Sequence, residues 1–461
     1  MAIHIDYSNM MAGIVPGGID EAAWHAARQT FAAAYQTAQQ RRRAGELGFI
    51  DLVAGQPQLQ ELRDFADGIG QAFSDVVVLG IGGSALGTIA LRSALRPPSW
   101  NELSDEARDF FPRLHVLDNA DPVTMGALLD RLELGRALFV VVSKSGGTAE
   151  TMAQYLIVRG RLQDALGEAF GRHLVFITDP EHGALRAIAN SEEILSLELP
   201  PNVGGRFSVL SAVGLLPAAL IGIDVSGLIA GAAEMATRCE AEALDQNPAG
   251  VFAVLQWMAD TQHGCTNQVL MPYGDALRDM AGWFVQLWAE SLGKHGDDGT
   301  SRGPTPIAAR GSTDQHSQVQ LFMEGPRNKT VTFVAVEERT TDLEIPHAHQ
   351  DLPALAYLGG HTLGELLAAE CRATAGALAT AGRPNMRLSL ERGDAWHIGG
   401  LIMLLEMATI YAGALYGVNP LNQPGVELGK RLTYAMLGRP DVPEAQRELA
   451  SLPAPDPQWT V

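Results

Sequence analysis

Ala137-Leu-Phe-Val-Val-Val142 runs directly into Ser143-Lys-Ser-Gly-Gly-Thr-Ala-Glu-Thr-Met152. The first segment is an unbroken apolar run rich in β-branched residues, the pattern of a strand buried on both faces. The second supplies hydroxyls from Ser143, Ser145 and Thr148 around Gly146-Gly147, then turns to helical spacing at Met152, Tyr155 and Leu156. Strand, turn and helix in this order bring accessible backbone N–H groups, hydroxyl donors and a helix N-terminus together. That combination binds anions, phosphate above all. The Gly-x-x-x-x-Gly-Lys-Ser/Thr spacing of a nucleotide-triphosphate loop is absent, so a monophosphate is the expected ligand.

The same alternation extends on both sides. Asp75–Leu79 reads as a strand, followed by Gly80-Ile-Gly-Gly-Ser-Ala-Leu-Gly87 and an alanine-rich helix; Leu114–Leu117 and Leu174–Thr178 are further strands. Strands separated by helices imply a parallel sheet covered on its faces. Ligands of such sheets lie beyond the strand C-termini, where Gly80–Gly87 and Ser143–Thr148 would both fall. A second series, Gln268–Met271, Pro306–Ala309, Thr330–Val336 and Met386–Leu390, predicts another sheet. The expected architecture is α/β: two αβα sandwiches with mostly parallel sheets, plus helical N- and C-terminal segments. The boundaries are read as 1–70 helical, 71–230 and 231–440 for the two sandwiches, and 441–461 for a tail that includes the Pro-rich Leu452–Pro457.

A length of 461 residues suits two or three domains rather than one core. The net charge of −20 argues against nucleic-acid partners and anionic membranes, so an anionic substrate must be drawn in by local cations. Cys239, Cys265 and Cys371 show no zinc or redox spacing and suggest reduced thiols in the cytoplasm. The N-terminus lacks the pattern of a secretory signal. Two apolar stretches, Val209–Ile229 and Ile398–Val418, are interrupted by Pro217, Asp224 and Glu406 and read as core helices. Of the 33 basic residues only Lys144, Lys294, Lys329 and Lys430 are lysines, which hints at positions where a compact ammonium is wanted.

Further chemistry lies outside the two loops. Gly80-Ile-Gly-Gly-Ser-Ala85 fits a loose dinucleotide fingerprint, but Asp118 comes too late for the ribose acid of that motif. The alternative is a glycine turn that sets the Ser84 hydroxyl beside the Ser143–Thr148 loop. Glu290 shares a helix face with Trp283, Leu287 and Lys294, an apolar setting that would raise its pKa toward that of a usable base. A Glu290–Lys294 ion pair is the competing reading, and both stay open. Arg206, after Gly204-Gly205 and before an apolar helix, is an anion holder or a surface cation. His316 follows Ser312-Thr313-Asp314 and is expected in the first turn of a helix, where the dipole favours neutral imidazole. Gln423-Pro-Gly opens another helix carrying Lys430, and His347-Ala-His349 lacks a third metal ligand.

In this order, Gly80–Gly87, Ser143–Met152, Val203-Gly-Gly-Arg-Phe-Ser208, Glu290-Ser-Leu-Gly-Lys294, Asp314-Gln-His316 and Gly425-Val-Glu-Leu-Gly-Lys430 resemble the signatures of the glucose-6-phosphate isomerase (phosphoglucose isomerase) family over roughly residues 70–440. The resemblance implies sugar-isomerase (SIS-like) sandwiches and interconversion of glucose 6-phosphate and fructose 6-phosphate through ring opening and an enediolate, with no metal or organic cofactor. It implies that Gly82, Gly83, Ser84, Ser143, Lys144, Ser145 and Thr148 hold the phosphate, Lys144 through its backbone N–H, and that Gln423 contacts the sugar. Glu290 would move the proton between C2 and C1, and Arg206 would stabilise the enediolate. His316 and Lys430 would open the ring, with Glu150 orienting His316 supplied by the neighbouring subunit, hence a homodimer. Leu292, Asp314 and Gly146-Gly147 depart from residues common in the family without removing a group this chemistry needs. Two rival functions are a non-catalytic sugar-phosphate sensor and an NAD-dependent dehydrogenase.

Overall fold

The computed structural model describes residues 3–53, 57–296 and 298–460. It forms two compact units, Met1–Pro420 and Leu421–Val461. Within the larger unit the first sheet has the spatial order Arg113–Leu117, Asp75–Leu79, Ala137–Ser143, Leu174–Thr178, Ser196–Glu198, every pair parallel. Asp75–Leu79, Ala137–Ser143 and Leu174–Thr178 are buried throughout, which is why their sequences run apolar instead of alternating. Val77, Phe139, Val141 and Phe176 pack against Tyr155, Val158 and Leu162 of helix Ala149–Leu166.

The second sheet runs Ile3–Asp6, Asn385–Arg392, Lys329–Glu338, Asn267–Tyr273, Thr305–Ala308. All of its pairs are parallel except the edge pair Ile3–Asp6 with Asn385–Arg392. The N-terminal segment was expected to be helical, and here the structure differs. Only Ile3 and Ile5 alternate with polar residues in this short segment, and its partner lies at the far end of the chain, so the strand forms by tertiary pairing. Helix Glu21–Arg43 follows, begun by the Asp20 carboxylate accepting from the Ala22 and Ala23 N–H groups.

Between the sheets' helical layers runs Ala395–Tyr416, the one described helix long and apolar enough to cross a membrane, and it is buried. It packs against helices Val225–Arg238, Pro248–His263, Glu21–Arg43 and Arg278–Leu292. Gly231 and Gly399 sit where a Cβ would collide with the Trp396 and Leu228 carbonyls, which lets two helix backbones touch. Glu406 lies mid-helix at 0% exposure, with neither carboxylate oxygen hydrogen-bonded. Burial pushes its pKa well above the carboxylate range, so it folds as the neutral acid.

The sign of the resulting pH dependence follows from linkage. A carboxyl whose folded pKa is raised contributes stability that is complete below its unfolded pKa of about 4.3 and lost as pH rises toward the folded value. Glu406→Gln removes that loss, so the variant's Tm advantage over wild type is expected to grow from pH 5 to pH 8. Calorimetry at the two pH values checks it; equal or narrowing differences would mean Glu406 is stably ionised inside the fold.

The smaller unit contains helices Glu427–Met436 and Pro443–Ala450, which pack together. Arg431 pairs with Glu448 at 3.1 Å and Lys430 with Glu427 at 2.9 Å. The second helix lies in the 441–461 segment read as a tail, ahead of its Pro-rich stretch, its first turn begun by Pro443.

Candidate active site

In the first sheet Asp75–Leu79 has the next strand in sequence on one side and the one after that on the other. Chain direction across the sheet therefore reverses between Asp75–Leu79 and Ala137–Ser143, and the crevice past their C-termini is the expected ligand position. Gly80–Ser84 leaves one strand there, and Ser143–Thr148 leaves the other.

The second of these loops is held in shape by its own polar groups. The Ser143 and Thr148 hydroxyls share a hydrogen bond of 3.0 Å, and the Gly147 N–H donates to Ser145 Oγ at 3.4 Å. Gly146 adopts φ +64°, and a Cβ there would press on the backbone of Gly183–Leu185, so glycine is needed on both counts. Thr148 occupies the N-cap position of helix Ala149–Leu166 without its side chain capping it, and Glu150 stands in the first turn. The Lys144 ammonium faces away from this work. Its Nζ donates to the carbonyls of Pro201 and Val203, each at 2.8 Å. Burial lowers its pKa, with Asp179 opposing the shift. This side chain ties the loop to the segment that carries Arg206.

Arg206 is no surface cation. It is 3% exposed, on a one-turn 3-10 helix Gly205–Phe207. Nε donates to Ser291 Oγ at 2.6 Å, Nη2 donates to the Pro420 carbonyl, and Nη1 stands 3.4 Å from Glu290 Oε1. Burial lowers the guanidinium pKa and Glu290 opposes it. Gly82 and Gly83 press against this assembly: a Cβ at Gly83 would collide with Gly205, and one at Gly82 (φ +56°) would lie 2.9 Å from Gln286 Nε2. The Gln286 amide in turn donates to Glu290 Oε2 at 3.1 Å. Glu290, with 26% of its side chain exposed, is thus gripped by Gln286 and Arg206 and keeps one open side.

The competing ion pair with Lys294 is not the one formed. Lys294 Nζ donates to the Ser291 and Asn419 carbonyls. Burial and then Arg206 push its pKa down to about 7, against the pull of Glu290. The sequence reading did not single out Gln286, Ser291 or the Asn419-Pro420 carbonyls. Gln286 had a signal in its i,i+4 spacing to Glu290; the others depend on long-range approach.

His316 differs from expectation. It ends the 3-10 turn Thr313–His316, and helix Gln318–Glu324 begins after it, so His316 precedes the helix and is not in its first turn. The capping capacity of Asp314 is spent on the Arg310 N–H and the Ser317 hydroxyl. The His316 side chain is exposed, and among the described residues of the chain it has no hydrogen bond to Glu150. Gln423 and Lys430 belong to the smaller unit, where Gln423 begins the 3-10 turn Pro424–Val426.

Residues 60–451 match the model of the family described as phosphoglucose isomerase. The glucose-6-phosphate isomerase of Rubrobacter xylanophilus is 49% identical over 85% of this chain and 89% of its own length. That of Carboxydothermus hydrogenoformans is 42% identical over 97% of both chains. Among solved structures, a Thermus thermophilus protein described as hypothetical superposes with a TM-score of 0.85 at 37% identity, covering 95% of this chain and 100% of its own. A glucose-6-phosphate isomerase from Chlamydia trachomatis shares the fold at TM-score 0.81, 22% identity, and coverage of 97% and 91%. The chain belongs to the phosphoglucose isomerase family.

Proposed function

We propose that Glu290 is the base with which this chain, an aldose–ketose isomerase, interconverts D-glucose 6-phosphate and D-fructose 6-phosphate, a step of glycolysis and gluconeogenesis. The observation that carries the reading is the Arg206–Glu290 pair beside the Gly80–Ser84 turn. Moving a hydrogen between C2 and C1 of an open-chain sugar needs a carboxylate next to the C–H and a fixed cation where enediolate charge develops. Glu290 takes the C2 proton of the aldose and returns it to C1, giving the ketose; the reverse reaction retraces the path. Arg206, already desolvated and held at Nε and Nη2, meets the developing charge without reorganising. A sugar-phosphate sensor would have no use for a buried guanidinium aimed at a half-open carboxylate.

Ser84, Ser143, Ser145 and Thr148 hold the phosphate, with Gly82, Gly83 and the Lys144 N–H contributing backbone contacts. His316 and Lys430 open the ring as an acid–base pair, Gln423 contacts the sugar, and Glu150 orients the histidine. These roles rest on the family motifs. The exposure of His316 and its lack of a bond to Glu150 within the chain suit donation to a second subunit. Three free, buried cysteines suit a reducing compartment, and a cytoplasmic location completes the proposal.

A coupled assay on purified protein tests the reaction, and mixed dimers test the shared site. His316→Ala and Glu290→Gln chains are each expected to be nearly inactive alone. Dissociated, mixed and reassociated at random, they should regain about a quarter of wild-type activity, because half the dimers are hybrids with one intact site each. No recovery from demonstrably hybrid dimers would place both residues in one subunit's site.

A further inference from the structure

Four strands of each sheet share one order, and only the edge strands Ser196–Glu198 and Ile3–Asp6 differ. Asn267–Tyr273 has Thr305–Ala308 on one side and Lys329–Glu338 on the other, as Asp75–Leu79 has Arg113–Leu117 and Ala137–Ser143. Each sheet therefore has one gap where the order reverses, and α/β sheets hold ligands beyond the strand C-termini at that gap. In the first sheet the gap is filled by the two loops already described. In the second it opens into a cavity of about 230 Å³, bounded by Tyr273 at the end of one strand and Ala335–Glu337 at the end of the other. Its outer wall is helix Leu363–Thr380, the counterpart of Ala149–Leu166.

Three arginines line the cavity, the half-buried Arg339 and Arg387 and the exposed Arg372. None of them makes a hydrogen bond or ion pair with any described residue, and Arg387 Nε is fully buried without a partner. The neighbouring acids are otherwise engaged. Asp342 accepts from the Leu343 and Gly364 N–H groups and the Thr362 hydroxyl; Glu365 accepts from the Thr362 N–H and pairs with His361. Asp6 shares the register of Arg387 on the adjoining strand, but its carboxylate accepts from the Ser8 N–H. Of the acids lining the cavity, the exposed Glu337 makes none of these bonds, while Asp342 also lies in the field of Arg339, and Glu370 stands near Tyr273. Helix Leu363–Thr380 starts with its capping box filled, so anion binding falls to the arginines and not to its N–H groups. The cavity also holds Cys371, whose thiol burial pushes up to about 11 despite the nearby arginines; it is a wall, not a nucleophile.

Three unpaired arginines converging on one cavity are conspicuous in a chain of net charge −20. We propose that this cavity is a second anion site, distinct from the sugar-phosphate site, and that it takes a small multivalent oxyanion, a phosphate ester or a polycarboxylate, through forked guanidinium contacts. It lies next to the His316 turn: Gln315 Nε2 donates to the Tyr273 hydroxyl at 2.7 Å and to the Glu370 carbonyl at 3.4 Å. The binding proposal itself is independent of the catalytic roles given to Glu290 and Arg206.

Titration calorimetry on full-length protein, with the sugar-phosphate site kept saturated by fructose 6-phosphate at equilibrium with its product, tests it. Pyrophosphate and citrate serve as separate probes, and the tighter of the two identifies the anion class. The expected result is one further equivalent bound per chain, weakened about tenfold or more by Arg387→Ala and by Arg372→Ala, since each removes charge-assisted contacts. Arg387→Lys, which keeps the charge but not the fork, should fall between wild type and Arg387→Ala. Turnover of these variants without the probe should stay close to wild type. Absence of the extra equivalent, or an equivalent indifferent to all three substitutions, overturns the proposal. So does a change of oligomeric state in the alanine variants, which would show that the arginines pair across a subunit interface.

Discussion

Glu290→Gln is expected to lower kcat for fructose 6-phosphate by about 10²–10⁴-fold, the range for loss of a general base, with little change in KM. The substitution keeps the shape of the side chain and can keep its setting. The introduced amide carbonyl can face Arg206 Nη1, where Glu290 Oε1 now stands 3.4 Å away. Its NH₂ then meets Gln286, whose Oε1 is buried without a hydrogen bond and can turn to accept. Nothing in the fold needs to move, so a fall in rate reports the chemistry. Two readouts make the assignment specific: steady-state turnover in a coupled assay, and loss of deuterium to solvent from glucose 6-phosphate labelled at C2. Both should fall together. Near-normal turnover, or normal label loss with slow turnover, would show that another group abstracts the proton.

How much of this was legible beforehand depends on the range of the interactions. The strands at 137–143, 174–178, 267–273 and 329–338 announce themselves because each is a dense apolar run fenced by glycine, proline or polar turns, and their burial is a local consequence of composition. The loop Ser143–Thr148 is legible for the same reason: its hydroxyls and glycines are neighbours in sequence and in space. The Ile3–Asp6 strand is not, because its partner is more than 380 positions away and its short sequence would suit several conformations. Arg206 could be flagged but not placed, since Ser291 and Glu290 come from helix Arg278–Leu292 and a further acceptor from Pro420. The Glu290–Lys294 pair is undecidable from sequence because helical spacing offers it, whereas the ammonium finds better geometry in two carbonyls. The arginines at 339, 372 and 387 carry no periodic signal at all; sheet topology alone gathers them.

Arg206→Lys is expected to lower kcat by about 10²–10³-fold, the usual effect of removing one preorganised charge donor at a reacting centre. The change is conservative in charge only. The guanidinium reaches three directions at once: Ser291 Oγ, the Pro420 carbonyl and the Glu290 carboxylate. A single ammonium cannot serve all three, so at least one buried acceptor loses its donor and the charge moves off the position it must hold. Protonation makes the defect worse. Arginine stays charged under burial, but lysine titrates readily, and Lys294 in the same neighbourhood is already pushed down to about 7. A lysine at 206, burying its ammonium more deeply and facing Lys294, is driven the same way, with Glu290 opposing. It is therefore expected to lose its proton over the assay range, so residual kcat of Arg206→Lys should rise as pH falls from 9 to 6, a dependence absent from Arg206→Met. Rate profiles of the two variants over that range decide the matter. A pH-independent Arg206→Lys enzyme with near-wild-type turnover would show that Arg206 braces Glu290 and Ser291 without carrying charge for the reaction.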